Sequence, residues 1–411
     1  MKILVLNGGS SSFKCWFQDV PEGEGPSEGA PPRWSARVDW SRNSGAADVK
    51  ITRSDGASAT RTITADSPSR FLEPVLEGLW KGEAKAIDSP AEVDVVGHRI
   101  VHGGPKYRES VLVTAEVRAG IAEQAEFAPA HTPLQLAAIE TVIRIIGSSV
   151  PQVAVFDTGF HATLGPAAYV YPGPYEWLDQ GIRRYGFHGI SVQYSTRRAA
   201  ELLQVPKNSS RLIVCHLGNG ASVSAVANGK SVDTSMGFTP LEGIMMGTRS
   251  GSIDPSILVY LIRRHGSTAD QMDDTLNRKS GLLGVSGISG DMREILEARD
   301  QGNERARLAY DIYAHRLTSE IGAMLAVLGG VDAIVFTGGI GENCAPLRED
   351  VCRQLAFLGL KLDPAKNARP ALDQNVAAEG SQVQVLVIRA DEDWEIAREC
   401  QRLRSIQPFR G

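Results

Sequence analysis

Short apolar runs separated by polar turns dominate the first part of the chain, a pattern typical of antiparallel strands. Ile3–Leu6 is continuously apolar, stops at a Gly- and Ser-rich segment, and is followed by a second apolar run, Phe13–Phe17. The pair predicts a β-hairpin. The next segment, 21–32 (PEGEGPSEGAPP), cannot pack and predicts an exposed loop. Alternating polar and apolar residues predict three further strands, at 34–38, 49–52 and 60–64.

From Arg70 onward the pattern changes, and helical periodicity alternates with short apolar runs. The apolar runs predict strands at 93–97, 152–156, 211–216, 333–337 and 383–388. Helical stretches are predicted at 114–127, 133–146, 255–265, 304–328 and 391–404. Strands that alternate with helices indicate an α/β protein.

One segment recurs halfway along the chain. The residues ILVLNGGSSSFK from Ile3 have a counterpart in LIVCHLGNGASV from Leu212, about 209 residues later. Each copy has an apolar strand, a turn of small residues and a second strand. The recurrence favours a duplicated domain, although two glycine-rich hairpins can also look alike without common origin.

Composition narrows the class of protein. The 411 residues are 42% hydrophobic and 22% charged with a net charge of −5, which suits two packed domains and gives no electrostatic reason to expect nucleic acid or a membrane surface. Five cysteines without a Cys-x-x-Cys pair argue against a disulfide framework and a zinc cluster. The apolar run at Met1–Leu6 is too short for a signal peptide, and Gly329, Gly330 and Asp332 interrupt the longest apolar stretch. We therefore expect a cytoplasmic protein.

Three turns rich in Gly, Ser and Asn are candidates for binding phosphate. They are Asn7–Ser12, which is followed by Lys14, then His216–Gly220, and Phe336–Asn343 between a strand and a helical stretch. Such turns offer backbone N–H groups that no side chain obstructs. Most glycine turns are only turns, but three in one chain without a Walker pattern favour nucleotide binding.

Two arginines stand in stretches that are otherwise uncharged and rich in glycine. Arg99 lies where a strand meets Gly103-Gly104, and Arg249 lies in GTRSG. A single arginine usually forms a surface ion pair, whereas two in such settings are better explained as clamps for anions.

Carboxylates and histidines complete the candidate chemistry. Asp157 ends a strand, a position that faces the ligand in many α/β folds, while Glu392 begins the last helix, where an acid also simply complements the helix dipole. The histidines in these stretches match no zinc spacing, and each alone is as well explained by a hydrogen-bonded core residue; they are His102, His131, His161, His188 and His216.

Seven motifs, in order along residues 1 to about 397, closely resemble the acetate kinase family. They begin at Asn7 (NGGSSSFK), His98 (HRIVHGG), Phe156 (FDTGFH), Arg184 (RYGFHG), His216 (HLGNGASV), Thr239 (TPLEGIMMGTRSG) and Gly339 (GIGEN). The resemblance implies a duplicated actin/Hsp70/sugar-kinase-like (ribonuclease H-like) α/β fold, with two domains around a central nucleotide cleft. It implies a first domain of 1–157 and 391–411 on the carboxylate and magnesium side, a second of 158–390 on the nucleotide side, and a homodimer.

The same resemblance implies a reaction: reversible transfer of a phosphoryl group from ATP to acetate, giving acetyl phosphate and ADP, with Mg²⁺ or Mn²⁺. The residue types agree with this chemistry. A carboxylate is already ionised at pH 7 and needs no strong base, so the site must supply positioning and positive charge instead. A sugar hydroxyl would need a base, so the two arginines favour a carboxylate over a sugar as the acceptor of the phosphoryl group.

Roles for individual residues also come from the resemblance. It implies that Asn7 and Glu392 hold the metal, that Arg99 binds the carboxylate, that Asp157 is the active-site acid, and that His188 and Arg249 stabilise the transition state. The small pocket for the methyl group would be lined by Val101, Ala130, Phe187 and Pro240. ATP would be bound by Lys14, His216, Leu217, Gly218, Asn219, Gly220, Asp291, Met292, Arg293, Gly339, Ile340, Gly341, Glu342 and Asn343.

Three departures from the family pattern bear on substrate choice or local structure. Ala130 stands where the family usually has Leu, which predicts a wider acyl pocket. Ser252 replaces an Asp, and the loop at 21–32 is longer than usual. Two rival functions remain: a propionate or butyrate kinase on the same scaffold, and a chaperone-like protein in which ATP drives interaction without phosphoryl transfer.

Overall fold

The computed structural model describes residues 1–9, 12–21, 31–40, 46–65, 68–128, 131–206, 208–371 and 373–406. Its internal packing divides the chain into two units. Unit 1 comprises Met1–Gly159 and Asp391–Gly411, and unit 2 comprises Phe160–Ala390. The chain therefore leaves unit 1 once, after strand 152–156, and returns to it with its last helix. The predicted loop at 21–32 lies mostly outside the described residues.

The strands, in chain order, are β1 (Lys2–Gly8), β2 (Ser12–Asp19), β3 (Trp34–Asp39), β4 (Ala46–Arg53), β5 (Ser58–Thr64), β6 (Val95–Ile100), β7 (Val111–Leu112), β8 (Gln152–Phe156), β9 (Arg211–Leu217), β10 (Ala221–Ala227), β11 (Lys230–Thr234), β12 (Ala333–Thr337), β13 (Gln374–Asn375) and β14 (Gln384–Val387). The helices are α1 (Leu72–Glu77), α2 (Ala115–Glu123), α3 (Thr132–Ile145), α4 (Pro166–Tyr169), α5 (Glu176–Asp179), α6 (Gly189–Leu203), α7 (Ser256–His265), α8 (Ala269–Arg278), α9 (Gly281–Ser286), α10 (Met292–Asp300), α11 (Glu304–Leu328), α12 (Gly338–Asn343), α13 (Ala345–Gln354), α14 (Pro364–Ala368) and α15 (Glu392–Ile406).

The sheet of unit 1 runs in the order β5-β4-β3-β2-β1-β6-β8-β7. The predicted hairpin is confirmed: β1 and β2 pair antiparallel from Lys2↔Asp19 to Gly8↔Phe13. β6 and β8 add parallel strands beside β1. β1 and β8 are buried along almost their whole length because both faces of this part of the sheet are covered, whereas β4 alternates buried and exposed residues.

The sheet of unit 2 repeats this plan. Its order is β11-β10-β9-β12-β14-β13, so an antiparallel set of consecutive strands, three here and five in unit 1, is again extended by two parallel strands. β9 and β10 form the counterpart of the first hairpin, as the recurring segment predicts. The predicted duplicated α/β fold is confirmed.

Each sheet is covered by a helix that follows the last parallel strand of the other sheet. After β8 of unit 1 the chain forms α6, which packs on β9 and β12 of unit 2, and after β14 of unit 2 it forms α15, which packs on β1, β6 and β8 of unit 1. Gly97 permits the second contact: a Cβ there would lie 2.5 Å from Ile396 and 2.8 Å from Cys400 of α15. Glycine in β6 therefore sets how closely α15 approaches the sheet.

The structure differs from the predicted elements mainly in unit 2. No helix is predicted at α6, and the glycine-rich segment at 338–343 is itself a short helix rather than a turn. The sequence of α6 shows no clear helical periodicity of apolar residues, because small polar residues such as Ser191, Ser195 and Thr196 are buried along with the apolar ones. The cysteines are all buried and free. Within the described residues, no helix is long and apolar enough to cross a membrane.

Candidate active site

In unit 1, four of the predicted site residues come together at one edge of the sheet. β1, β6 and β8 are adjacent and parallel, so Asn7, Arg99 and Asp157 stand at the same ends of neighbouring strands. Glu392, the first residue of α15, joins them there although it is at the other end of the sequence. Parallel strands commonly present their carboxyl ends to a ligand.

Hydrogen bonds and an ion pair connect the four side chains. Asn7 Nδ2 donates to Glu392 Oε2 at 2.9 Å, and Arg99 Nη2 donates to Asp157 Oδ2 at 2.9 Å. Arg99 Nε lies 3.7 Å from Glu392 Oε2, so one guanidinium faces two carboxylates. The Asp157 side chain is only 1% exposed, which makes this contact a buried charge pair.

The charges of this cluster balance each other. Burial would lower the pKa of the Arg99 guanidinium, but the negative charges of Asp157 and Glu392 raise it above its ordinary value. Arg99 is therefore held in its charged form by two carboxylates of its own chain. A carboxylate substrate would meet a cation that is already paired.

Asp393 is a member of the cluster that the sequence analysis does not single out. Its Oδ1 accepts a hydrogen bond of 3.2 Å from Asn7 Nδ2. Burial, reinforced by the charge of Glu392, raises the pKa of Asp393, while Lys14 and the Asn7 amide act in the opposite direction. Lys14 is exposed on β2 and pairs with Asn7 across the hairpin. The sequence feature that could have identified Asp393 is its position directly after Glu392.

The oxygen atoms of this cluster fit a hard divalent cation. Asn7 offers an amide oxygen and Glu392 a carboxylate, the donors that Mg²⁺ prefers. Within the described part of the chain, no group of three or more His, Cys, Asp or Glu side chains could hold a metal ion. A cation here would thus have few protein ligands, as Mg²⁺ does where substrate phosphates supply others.

In unit 2, the predicted histidines form a stacked pair. The rings of His188 and His216 lie 4.2 Å apart between centroids, at an angle of 25°. His188 Nδ1 is hydrogen-bonded to Ser222 Oγ (3.0 Å) and His216 Nδ1 to Ser191 Oγ (2.8 Å). The two serines, which the sequence analysis does not identify, orient the rings and leave each Nε2 directed elsewhere. Ser191 follows His188 by three residues, close to one helical turn.

His188 has an unusual backbone. Its φ of 58° and ψ of 21° put it in the left-handed region, which residues other than glycine rarely adopt, directly before α6 begins. Such a conformation persists only where the surrounding structure enforces it, and it is concentrated at functional sites. α6 packs on β9, so the helix carries His188 to the end of the strand that ends in His216-Leu217.

Arg249 belongs to a loop that closes on itself through hydrogen bonds. Its Nη1 donates to the carbonyl oxygen of Pro240 at 2.9 Å, and its own carbonyl oxygen accepts from Met246 N. Ser252 Oγ accepts from Gly243 N at 3.0 Å while Ser252 N donates to the oxygen of Gly243 at 2.8 Å. The departure at Ser252 therefore has a structural role, since this residue closes the loop that carries Arg249.

The charge of Arg249 is not balanced as that of Arg99 is. No ion pair joins Arg249 to a carboxylate among the described residues, and burial lowers the pKa of its guanidinium. A cation that is partly buried without a carboxylate partner is destabilising unless an anion reaches it.

Arg249 and His188 converge on the glycine turn after β9. A Cβ built on Gly220 would lie 3.4 Å from Arg249 Nη1 and 3.4 Å from His188 Nε2, and one built on Gly218 would lie 3.8 Å from His216 Nε2. The absence of side chains at the two glycines leaves room for another group against these nitrogens. The arrangement is a cradle of donors suited to an anion.

The remaining predicted nucleotide residues lie on two short segments. Asp291 caps the start of α10 and forms an exposed ion pair with Arg293, whose side chain is 89% exposed, while Met292 between them is buried. In α12, a Cβ at Gly339 would meet open space, and Asn343 Nδ2 donates to the oxygen of Gly339 at 2.9 Å. Gly339 thus leaves the surface of this helix open.

The predicted acyl-pocket residues are divided between the units. Val101 in unit 1 is buried, and its N–H donates to Gln135 Oε1 (3.3 Å). Phe187 in unit 2 is buried, and Pro240 is held by Arg249 through its carbonyl oxygen. Ala130 lies outside the described residues.

Comparison with known proteins gives a consistent result. The model of the acetokinase family matches residues 2–398. An acetate kinase of Gloeobacter violaceus is 54% identical over 405 residues, which cover 98% of this chain and 100% of the relative. An acetate kinase of Nostoc punctiforme is 51% identical over 400 residues, covering 97% and 98%.

Solved structures agree. The acetate kinase of Porphyromonas gingivalis is 39% identical with a TM-score of 0.88, covering 98% of this chain and 99% of that one. A propionate kinase of Francisella tularensis is 35% identical with a TM-score of 0.86, covering 97% and 98%. From its sequence, its duplicated fold and these matches, the chain belongs to the acetokinase family of phosphotransferases.

Proposed function

We propose that this acetate kinase family member transfers the γ-phosphoryl group of ATP to acetate by direct in-line attack of the carboxylate, and that each unit supplies the part of the reaction that its own residues suit. The observation that carries the proposal is the partly buried Arg249, which has no carboxylate partner among the described residues and lies beside His188 Nε2 at the Gly218–Gly220 turn. Positive charge and donors are what an in-flight phosphoryl group requires.

Unit 1 is proposed to bind the carboxylate. Arg99 is the group that receives it, and Asp157 positions the guanidinium through the 2.9 Å hydrogen bond. In this proposal Asp157 acts through Arg99, because a carboxylate nucleophile needs no base at pH 7. The substrate must then share the Arg99 guanidinium with carboxylates of the chain, which keeps binding of the ground state weak.

Asn7 and Glu392 are proposed to hold Mg²⁺. The cation would neutralise phosphate charge, which a reaction between two anions demands. The 2.9 Å hydrogen bond between the two side chains supports their assignment to one ion, and Asp393 keeps Asn7 oriented through its own bond to Nδ2.

Unit 2 is proposed to bind the nucleotide along three segments: His216–Gly220, Asp291–Arg293 and Gly339–Asn343. Support comes from the open surface at Gly339 and the room above Gly218 and Gly220. Arg293 stands exposed at the start of α10, where it is available to a ligand.

A homodimer is proposed from one exposed helix. None of the ten residues of α7 is buried, and Ile257, Val259, Tyr260 and Ile262 are 44–58% exposed. Clustered apolar side chains of this kind mark interaction surfaces. Light scattering on the wild type and on an Ile257→Asp, Ile262→Asp variant tests the assignment: the double variant should be monomeric, and an unchanged mass would reject α7 as the interface.

One assay tests the reaction. Incubation with ATP, Mg²⁺, acetate and hydroxylamine should yield acetyl hydroxamate, which reports acyl phosphate. Slow phosphate release that does not respond to acetate would instead support the chaperone-like alternative.

A second candidate function, propionate or butyrate phosphorylation, is favoured by one observation. Ala130 occupies the position of a pocket-lining Leu in the family pattern, and loss of a side chain from a pocket wall makes space for added carbon. The same assay with acetate, propionate and butyrate compares the substrates directly.

A further inference from the structure

Two consecutive backbone amides are held by carboxylates at the point where the chain leaves unit 2. β14 continues its pairing with β12 up to Ile388, whose N–H donates to the oxygen of Phe336. Arg389 N then donates to Asp373 Oδ1 at 2.9 Å, and Ala390 N donates to Glu342 Oε1 at 2.8 Å. Ala390 is the last residue of unit 2.

Glu342 belongs to α12, one of the segments proposed to bind nucleotide, yet its carboxylate is directed to the backbone. Burial raises the pKa of Glu342, and the amides of Ala390 and Gly338 stabilise its charged form. One side chain thus joins the first residue of α12 to the segment after β14. A carboxylate that already accepts two N–H groups is poorly placed to receive an anionic phosphate.

The helix that carries Glu342 is itself held in place. Arg348 is 1% exposed, and its Nη1 donates to the carbonyl oxygens of Gly341 (2.7 Å) and Glu342 (2.9 Å). Its Nε and Nη2 donate to Asn367 at 2.8 and 2.7 Å. These hydrogen bonds couple any displacement of α12 to α13, to α14 and to the Ala390 amide that Glu342 binds.

Only Asp391 separates Ala390 from Glu392. Two Cα–Cα steps span at most about 7 Å, so a displacement of the Ala390 amide is carried to the start of α15 with little slack. At that start, Glu392 accepts from Asn7.

We propose that Glu342 is a positioning residue that links the nucleotide-binding helix to the carboxylate assigned to Mg²⁺, rather than a contact of the nucleotide. The inference rests on the proposed function, because it needs α12 to bind ATP and Glu392 to bind the cation. Under this proposal the Glu342 side chain binds the Ala390 amide, whereas the family resemblance implies that it binds ATP.

Three substitutions separate an acceptor role from a charge role. Glu342→Ala removes the acceptor, and loss of a hydrogen bond to a charged group should lower kcat, and raise the Mg²⁺ concentration for half-maximal activity, each by about 10-fold or more. Glu342→Gln keeps an acceptor oxygen and should recover most of what alanine loses. Glu342→Asp keeps the charge but withdraws the oxygen by one carbon, and should resemble alanine. Glu349→Ala, an exposed glutamate of α13, is the matched control and should have no effect.

A readout independent of turnover accompanies these assays. Hydrogen exchange of the peptide that contains Arg389 and Ala390 should be faster in Glu342→Ala and Glu342→Asp than in the wild type and in Glu342→Gln. ADP binding measured by calorimetry with EDTA should stay within about threefold of wild type in all variants, since the side chain is not assigned to the nucleotide.

The outcomes distinguish the possibilities. If Glu342→Gln is as damaged as Glu342→Ala while Glu342→Asp is active, the charge matters and the positioning role is wrong. Unchanged exchange at residues 389–390 in Glu342→Ala would also overturn it. If Glu342→Ala fails to fold, the comparison of Asp with Gln decides alone. Failure of the wild type to form any acyl phosphate would instead reject the proposed function, and the exchange result would be unaffected by it.

Discussion

Arg99 of unit 1 and Arg249 of unit 2 are both partly buried arginines beside glycine-rich segments, yet their surroundings are opposite. Arg99 faces Asp157 at 2.9 Å and Glu392 at 3.7 Å, and these carboxylates raise its pKa. Arg249 is hydrogen-bonded to the carbonyl oxygen of Pro240, and burial lowers its pKa. Similar sequence settings therefore contain one arginine whose charge is balanced by carboxylates and one, which we call unbalanced, that has no carboxylate partner among the described residues.

From this difference we propose that the two arginines act in different parts of the reaction. A balanced cation costs little in the free protein and gains less from a further anion than an unbalanced cation does, as suits modest binding of a small carboxylate. An unbalanced buried cation is unfavourable until negative charge arrives, so it interacts most strongly where that charge is greatest. Only an interaction that is stronger in the transition state than in the ground state accelerates a reaction. Substitution of each arginine tests this contrast directly, and two further predictions concern stability against pH and the length of the acyl chain.

Arg249→Ala should give the largest effect. Loss of a charged donor to the transition state lowers kcat by about 10²–10³-fold, while removal of a buried cation that lacks a carboxylate should leave the thermal midpoint unchanged or higher. Hydroxamate kinetics and thermal unfolding measure the two quantities. A clear fall in the midpoint together with near-normal kcat would show that Arg249 is a structural residue.

Arg99→Ala should show the opposite pattern, with a loss of stability and of acetate binding. It removes the cation next to the 1%-exposed Asp157 side chain, which destabilises the protein by about 3–5 kcal/mol, and it should raise the KM for acetate by about 10–100-fold. The double variant Arg99→Ala, Asp157→Asn removes both charges and should recover much of the stability but none of the acetate affinity. If the single variant is as stable as wild type, the pair is not the balanced one described.

The buried His98 predicts how the stability of unit 1 depends on pH. Burial lowers its pKa to about 4, although it donates to Gln152, and its ordinary value is 6.5. The unfolded chain therefore binds this proton more readily between those values, so stability rises with pH from about 4 to 6.5. The full difference corresponds to about 3 kcal/mol. Urea unfolding of His98→Gln should show a flatter acid limb than that of the wild type. An identical pH profile in the variant and the wild type would contradict the assignment.

The sequence points to these candidate residues more readily than to their electrostatic surroundings. Local motifs single out Asn7, Arg99, His188 and Arg249 because each stands near glycines. Whether an arginine is balanced depends on partners distant in sequence, such as Asp157 for Arg99, 58 residues away. No local pattern predicts that distance.

The elements that are predictable from the sequence are those whose buried residues are uniformly apolar. Strands such as β8 and β12 are continuous apolar runs with sharp ends and are predicted at their observed bounds. α6 is missed because its buried face includes polar side chains, among them Ser191, which orients His216. Polar residues that serve the site thus obscure the pattern that would reveal the helix carrying them.

The smallest expected effect concerns the length of the acyl chain and rests on the family pattern, in which a Leu lines the acyl pocket where this chain has Ala130. Replacement of Leu by Ala in the pocket wall leaves room for about one methylene or somewhat more, and burial of a methylene is worth about 0.8 kcal/mol, or a few-fold in kcat/KM. We therefore expect the wild type to use propionate unusually well, with Val101, Phe187 and Pro240 still excluding long chains. Ala130→Leu should restore the preference for acetate by the same few-fold in assays with both acids. Equal discrimination by wild type and variant would mean that neighbouring side chains fill the space.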